Sequence, residues 1–150
     1  MPVSAAYAES NRTQTERLRR LVESLDEAQL AVRLPNGWSV AGAFAHLAFW
    51  DRQRLGLMRR WAAGEDCTGF YAGNVINDAM QPLLELIPPR SAAAAALAAA
   101  EEVDALLLAL PDEVIEAALA RPDAPRLDRG SHRAHHLDVV EAALAPPSRA

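Results

Sequence analysis

Histidine is scarce in this chain, and three of its four copies lie within one string, Ser131-His132-Arg133-Ala134-His135-His136. On a helix His132 and His136 form an i, i+4 pair that can grip one metal ion from a single face. At about 100° per residue, Val139 and Ala143 fall within roughly 40° of that pair, so it points along an apolar, core-facing stripe. His135 is rotated about 80° from the stripe's centre, onto the flank. The fourth histidine, His46, has Gly42 and Ala43 one turn before it and Phe49 and Trp50 one turn after, which also marks an inward face. A buried imidazole needs a partner. Facing helices of a bundle build metal sites from such side chains, and His46, His132 and His136 together would offer three neutral nitrogens. Three protein ligands leave a coordination position open, as in catalytic or ligand-binding sites rather than four-ligand structural zinc sites. The competing reading is a set of core histidines held by ordinary hydrogen bonds.

The elements that would carry these residues follow from apolar periodicity. Leu18, Leu21, Val22 and Leu25 recur at three- and four-residue spacing and predict a first helix over Thr13 to Leu25. Pro35, Asn36 and Gly37 break the chain, and Ser39 can cap a second helix through His46, Trp50 and Trp61 to a stop at Gly64. Glu65 to Tyr71 reads as a loop, followed by a helical pattern from Asn74 to Leu86. After Ile87-Pro88-Pro89, Ser91 can cap an Ala-rich helix to Leu110, in which alanine reflects helix propensity and not disorder. A short helix from Asp112 to Ala120, a polar connection from Arg121 to Gly130 and a last helix from Ser131 to Ala145, ended by Pro146 and Pro147, complete the pattern. No stretch alternates like a strand. The expectation is all-α: a four-helix bundle with additional short helices, in one domain spanning residues 1–150.

Composition narrows the partners. A net charge of -5, with arginine as the sole strong cation, argues against nucleic acid or an anionic membrane held by a broad positive field. The Arg and Ala bias fits a GC-rich bacterial genome. A single cysteine, Cys67, excludes an internal disulfide and suggests a reducing cytoplasm. No signal-like stretch opens the chain between Met1 and Asn11, and no run reaches the ~18 apolar residues of a membrane span.

The strings Gly37-Trp38-Ser39-Val40 and Ala45-His46-Leu47-Ala48-Phe49-Trp50, followed at a distance by His132-x-x-His135-His136, resemble the DinB-like superfamily, including the related N-terminal domain of mycothiol-dependent maleylpyruvate isomerases. The resemblance covers nearly the whole chain. It implies a four-helix bundle that binds nickel, zinc or another divalent ion through three histidines, which by position are His46, His132 and His136. It also implies that some members transfer or isomerise substrates with a low-molecular-weight thiol. With only a few residues after the expected last helix, the isomerases' further C-terminal domain is not expected here.

The expected activity is therefore that of a metal-dependent thiol S-transferase or isomerase acting on a small-molecule thiol or electrophile, with no catalytic side chain singled out. A metal-dependent hydrolase, a non-catalytic protein that sequesters metal or a small molecule, and a bundle serving only dimerisation are the alternatives. A homodimer is admitted but not required. Imidazole ligands suit zinc, nickel, copper and iron alike. Trp38, Trp50 and Trp61 read as core aromatics before they read as pocket walls. Asp51, Asn74, Asn77 and Asp78 read as solvent-exposed, with orientation of a histidine as the functional alternative. Arg52, Arg54, Arg59 and Arg60 form either a solvated, ion-paired face or a receptor for an anion. Cys67 has no nearby base and is not expected to act as a nucleophile.

Overall fold

The computed structural model describes residues 4–68 and 72–149; residues 1–3, 150, and 69–71 of the loop expected from Glu65 to Tyr71 lie outside them. Among the described residues the helices are α1 (Ala5–Ser24), α2 (Glu27–Leu30), α3 (Val40–Ala62), α4 (Gly73–Leu84), α5 (Pro89–Ala109), α6 (Asp112–Leu119) and α7 (Arg129–Leu144). No strand occurs among the described residues, where the sole β contact is an isolated bridge between Arg33 and Ser39. Among the described residues the fold is all-α.

Four long helices form a ring in which α1 packs on α5 and α7, and α3 packs on the same two. Between α3 and α5 the seam is alanine-rich: Ala41, Ala45, Ala48, Ala93, Ala96, Ala99 and Ala100 are all buried. Small side chains let the backbones approach closely, so dispersion contacts replace the bulk of larger residues. Leu18, Leu30, Phe44, Leu47, Leu137 and Val140 fill one core cluster. A second cluster toward the other end contains Met58, Val103, Leu107, Ile115 and Leu127.

Several element boundaries depart from the periodicity reading for identifiable reasons. α1 starts at Ala5 rather than Thr13 because its first inward positions are polar: Asn11 and Thr15 are buried. α2, which periodicity missed, is a short turn closed by a capping box, with the Asp26 carboxylate accepting from the Gln29 N–H and the Gln29 side chain accepting from the Asp26 N–H. α5 begins two residues before Ser91, since Pro at the first helical position sacrifices no needed N–H. α7 begins at Arg129, not Ser131, because Asp128 is the cap, accepting from the Ser131 N–H at 3.0 Å. α3 begins as expected, with Ser39 Oγ accepting from the Gly42 N–H at 2.8 Å.

Candidate metal centre

The turn before α3 positions the first wall of the site. Gly37 takes φ +88, a left-handed conformation that its lack of a Cβ permits, and its N–H donates to the Leu34 carbonyl at 2.9 Å. Asn36 Oδ1 accepts from the Trp38 N–H at 3.0 Å. These bonds set Trp38 over the histidines: its ring lies 4.8 Å from that of His46 and stacks at 6.1 Å, 15° from parallel, with that of His136. Trp50, one turn after His46, closes another side at 6.4 Å from the His46 ring, its Nε1 donating to Asn77 Oδ1 at 3.0 Å. Of the three tryptophans read as core aromatics, Trp38 and Trp50 thus face the candidate site, whereas Trp61 packs against the second core cluster.

His46 from α3 and His132 and His136 from α7 converge, each offering a ligand atom so that these atoms all lie within 4.8 Å of one another. Ring centroids are 4.6 Å apart for His46 and His136, 4.9 Å for His132 and His136, and 5.4 Å for His46 and His132. His135 stays exposed on the flank, its ring 5.1 Å from that of His136. The deepest stripe of α7 is not the one periodicity predicted. Arg133, Leu137 and Val140 are fully buried, while His132, His136, Val139 and Ala143 are half-buried on the adjoining side. An arginine at the centre of the inward face disguised that face.

Burial is the main force on all three imidazoles. It combines with the Arg129 charge to lower His46 from 6.5 to about 4. Burial, then Arg129 and the other two rings, takes His132 down to about 2. Burial, then His46, His135 and Arg129, takes His136 to about 3. At neutral pH each ring is uncharged and carries one lone pair.

The arrangement suits a metal in its donor chemistry and in one unmet need: His46 Nδ1 is buried with no hydrogen-bond partner. An orphaned buried nitrogen is costly, and a cation placed among three imidazoles would remove such a cost. Nitrogens around a tetrahedral ion at ~2.0–2.1 Å lie about 3.4 Å apart, so the rings would close slightly on it.

Behind the histidines lies a buried charge network that sequence reasoning missed. Asp51, expected at the surface, is 1% exposed; its Oδ1 accepts from Arg129 Nε at 2.8 Å and its Oδ2 from Arg133 Nε at 3.0 Å. Arg133, fully buried, also donates to Asp104 Oδ1 at 2.9 Å, to Thr15 Oγ1 at 3.0 Å and to the Asn11 carbonyl at 3.3 Å. Arg129 Nη2 donates to His132 Nδ1 at 2.9 Å. Asp51 therefore orients a histidine through an arginine, not directly. The one available signal was the repeat Arg129, Arg133, Leu137, which shares the i, i+4 period of the buried stripe.

The other candidates disperse. Arg59 pairs with Glu102 and Arg60 with Glu65, as a solvated face would, whereas Arg54 lines a cavity beside His132. Asn74 and Asp78 are exposed. Cys67 is outside the histidine cluster and its carbonyl accepts from Trp61 Nε1 at 2.9 Å and Arg121 Nη2 at 2.9 Å, which ties down the loop after α3.

A family model described as the DinB superfamily matches residues 11–140. No curated protein and no solved structure matches the chain.

Proposed function

The chain belongs to the DinB superfamily, and we propose that it is a divalent-metal protein, with His46, His132 and His136 as ligands, that activates a small thiol for transfer or isomerisation. The observation that carries this reading is the convergence of three neutral imidazoles whose ligand atoms lie within 4.8 Å of one another, from two helices, between Trp38 and Trp50. Three ligands leave room for an exogenous one. A divalent ion held there would lower the pKa of a bound thiol and make it nucleophilic at neutral pH.

The chain's own residues supply confinement and neutrality. Trp38 and Trp50 place apolar faces on two sides of the ring cluster and narrow its access to water. Burial keeps the histidines unprotonated, so no proton need leave them at neutral pH. Among the described residues the histidine cluster contains no cysteine, Cys67 lying in the loop after α3, so on this reading the nucleophile comes with the ligand.

Metal analysis of protein purified without an affinity tag is expected to find close to one divalent ion per chain. In cobalt-substituted protein, one of mycothiol, bacillithiol and glutathione is expected to raise a sulfur-to-metal charge-transfer band, unchanged in Cys67→Ser. Metal binding with no band for any of the three would leave a metal-dependent binding protein or hydrolase; no metal at all would return the histidines to the core.

A further inference from the structure

A cavity of about 400 Å³ adjoins the histidine cluster, sharing His132 with it, and its wall carries Arg54, Arg126 and Arg129 together with Trp50 and, among the described residues, no carboxylate. Three guanidinium-bearing side chains around one small cavity, in a protein of net charge -5, run against the overall field. They come from three places: Arg54 from α3, Arg126 from the connection before α7, and Arg129 from the first turn of α7. Arg54 is braced by the Arg126 carbonyl at 3.4 Å and by Gln53, and Arg129 by Asp51 at 2.8 Å. Arg54 and Arg129 are thus held by neighbours, Arg126 is exposed, and among the described residues no anion lines the cavity.

The contact between Arg129 and His132 gives this cavity a state-dependent donor. A guanidinium can only donate, so His132 Nδ1 must present its lone pair to Arg129 Nη2. A neutral imidazole has one lone pair. When a metal takes it, the other nitrogen carries the ring proton and becomes a donor, whichever nitrogen binds the ion. In either case Nη2 loses its acceptor, while Nε remains fixed on Asp51. A buried guanidinium N–H without an acceptor is unfavourable, and an oxyanion in the cavity is the partner that would satisfy it.

We propose that the cavity walled by Arg54, Arg126 and Arg129 is a subsite for the anionic group of a small ligand whose other end reaches the histidine-bound metal, and that metal loading frees Arg129 to hold that group. The ligand class is a short molecule with a metal-seeking atom and an oxyanion such as a carboxylate, sulfonate or phosphate. The inference rests on the metal reading of the three histidines.

The test compares two thiols of equal chain length on cobalt-loaded protein, 3-mercapto-1-propanesulfonate and 3-mercapto-1-propanol, by titrating the sulfur-to-cobalt band. A sulfonate is a poor metal ligand, so a preference for it reports the protein and not chelation. Wild type is expected to bind the sulfonate about a hundredfold or more tightly, the scale of more than one charge-assisted hydrogen bond. In Arg54→Gln/Arg126→Gln the preference is expected to shrink to about tenfold, the scale of a single such bond, while propanol affinity and cobalt content stay unchanged, since Arg129 alone remains. Equal affinities in wild type, a preference undiminished in the double variant, or no band with either thiol at full cobalt content would overturn the subsite and leave the metal centre standing. A protein that takes up no cobalt would overturn both readings.

Discussion

At the scale of single residues, the three histidines do not stand on equal terms with the fourth. His46, His132 and His136 converge, and His135 reaches the cluster only by touching His136. Alanine at any of the first three is expected to lower metal affinity by two orders of magnitude or more, roughly the loss of one of three first-row ligands, while His135→Ala leaves it within about threefold. Competitive titration with a chromophoric chelator measures both. Acid should act through the same rings. Each is lowered from 6.5 in the folded chain, to between about 4 and about 2, so the folded state binds fewer protons than the unfolded one on the acid side. Their contribution to stability is intact above about 6.5 and is lost progressively as pH falls from there through about 4 for His46, about 3 for His136 and about 2 for His132. The melting temperature of metal-free protein is expected to be level near neutrality and to fall below pH about 6.5, less steeply in His46→Gln/His132→Gln/His136→Gln. The histidines were legible in the sequence because type, spacing and apolar neighbours agreed. Arg129, Arg133 and Asp51 were not, because a charged residue on an inward face looks like a surface residue until its partners, far away in the chain, are known.

At the scale of helices, what matters is how closely α7 can approach α1, since α7 carries two of the candidate ligands. Gly130 permits that approach: a Cβ there would sit 2.6 Å from the Ser10 carbonyl carbon and 2.7 Å from its oxygen, and would strike Ser10 Oγ as well. These are largely backbone atoms, so the helices would have to part. Gly130→Ala is therefore expected to destabilise the fold by about 1–3 kcal/mol, the usual cost of overpacking, and to weaken metal binding without touching a ligand. Chemical denaturation and chelator competition together check it; a variant with native stability and affinity would show that α7 has slack at this contact. The long helices were readable from the apolar period, and the Ser39 cap on α3 was read to the residue. What escaped were starts set by a cap, Asp128 on α7, or masked by polar inward residues, Asn11 and Thr15 on α1. Such boundaries depend on tertiary partners: Asn11 Oδ1 accepts from the Gly130 N–H at 2.8 Å, a contact no local window contains.

For the molecule as a whole, a metal joining α3 to α7 would bind the folded chain and not the unfolded one. At free metal roughly a thousandfold above its Kd this linkage adds about 4 kcal/mol, which for a chain of this size raises Tm by roughly 8–16 °C. Differential scanning calorimetry with and without chelator is expected to show that gap in wild type and none in His46→Ala. The seam of alanines between α3 and α5 has a further consequence. Near-identical small side chains match one another almost as well after a slide of one helical turn, about 5.4 Å, so the seam is strong but carries little information about alignment. Arg133 supplies that information, because its guanidinium meets acceptors from α1, α3 and α5 at once: Thr15, Asp51 and Asp104. A bundle slipped by a turn would set that charge against alanine methyls. Replacing the clamp in Arg133→Met/Asp51→Leu/Asp104→Leu is expected to preserve helical circular dichroism while multiplying or broadening amide resonances; one sharp set of peaks would show that the alanines align themselves. The buried ions, on this view, act less as glue than as an index mark, selecting one of several nearly isoenergetic alignments.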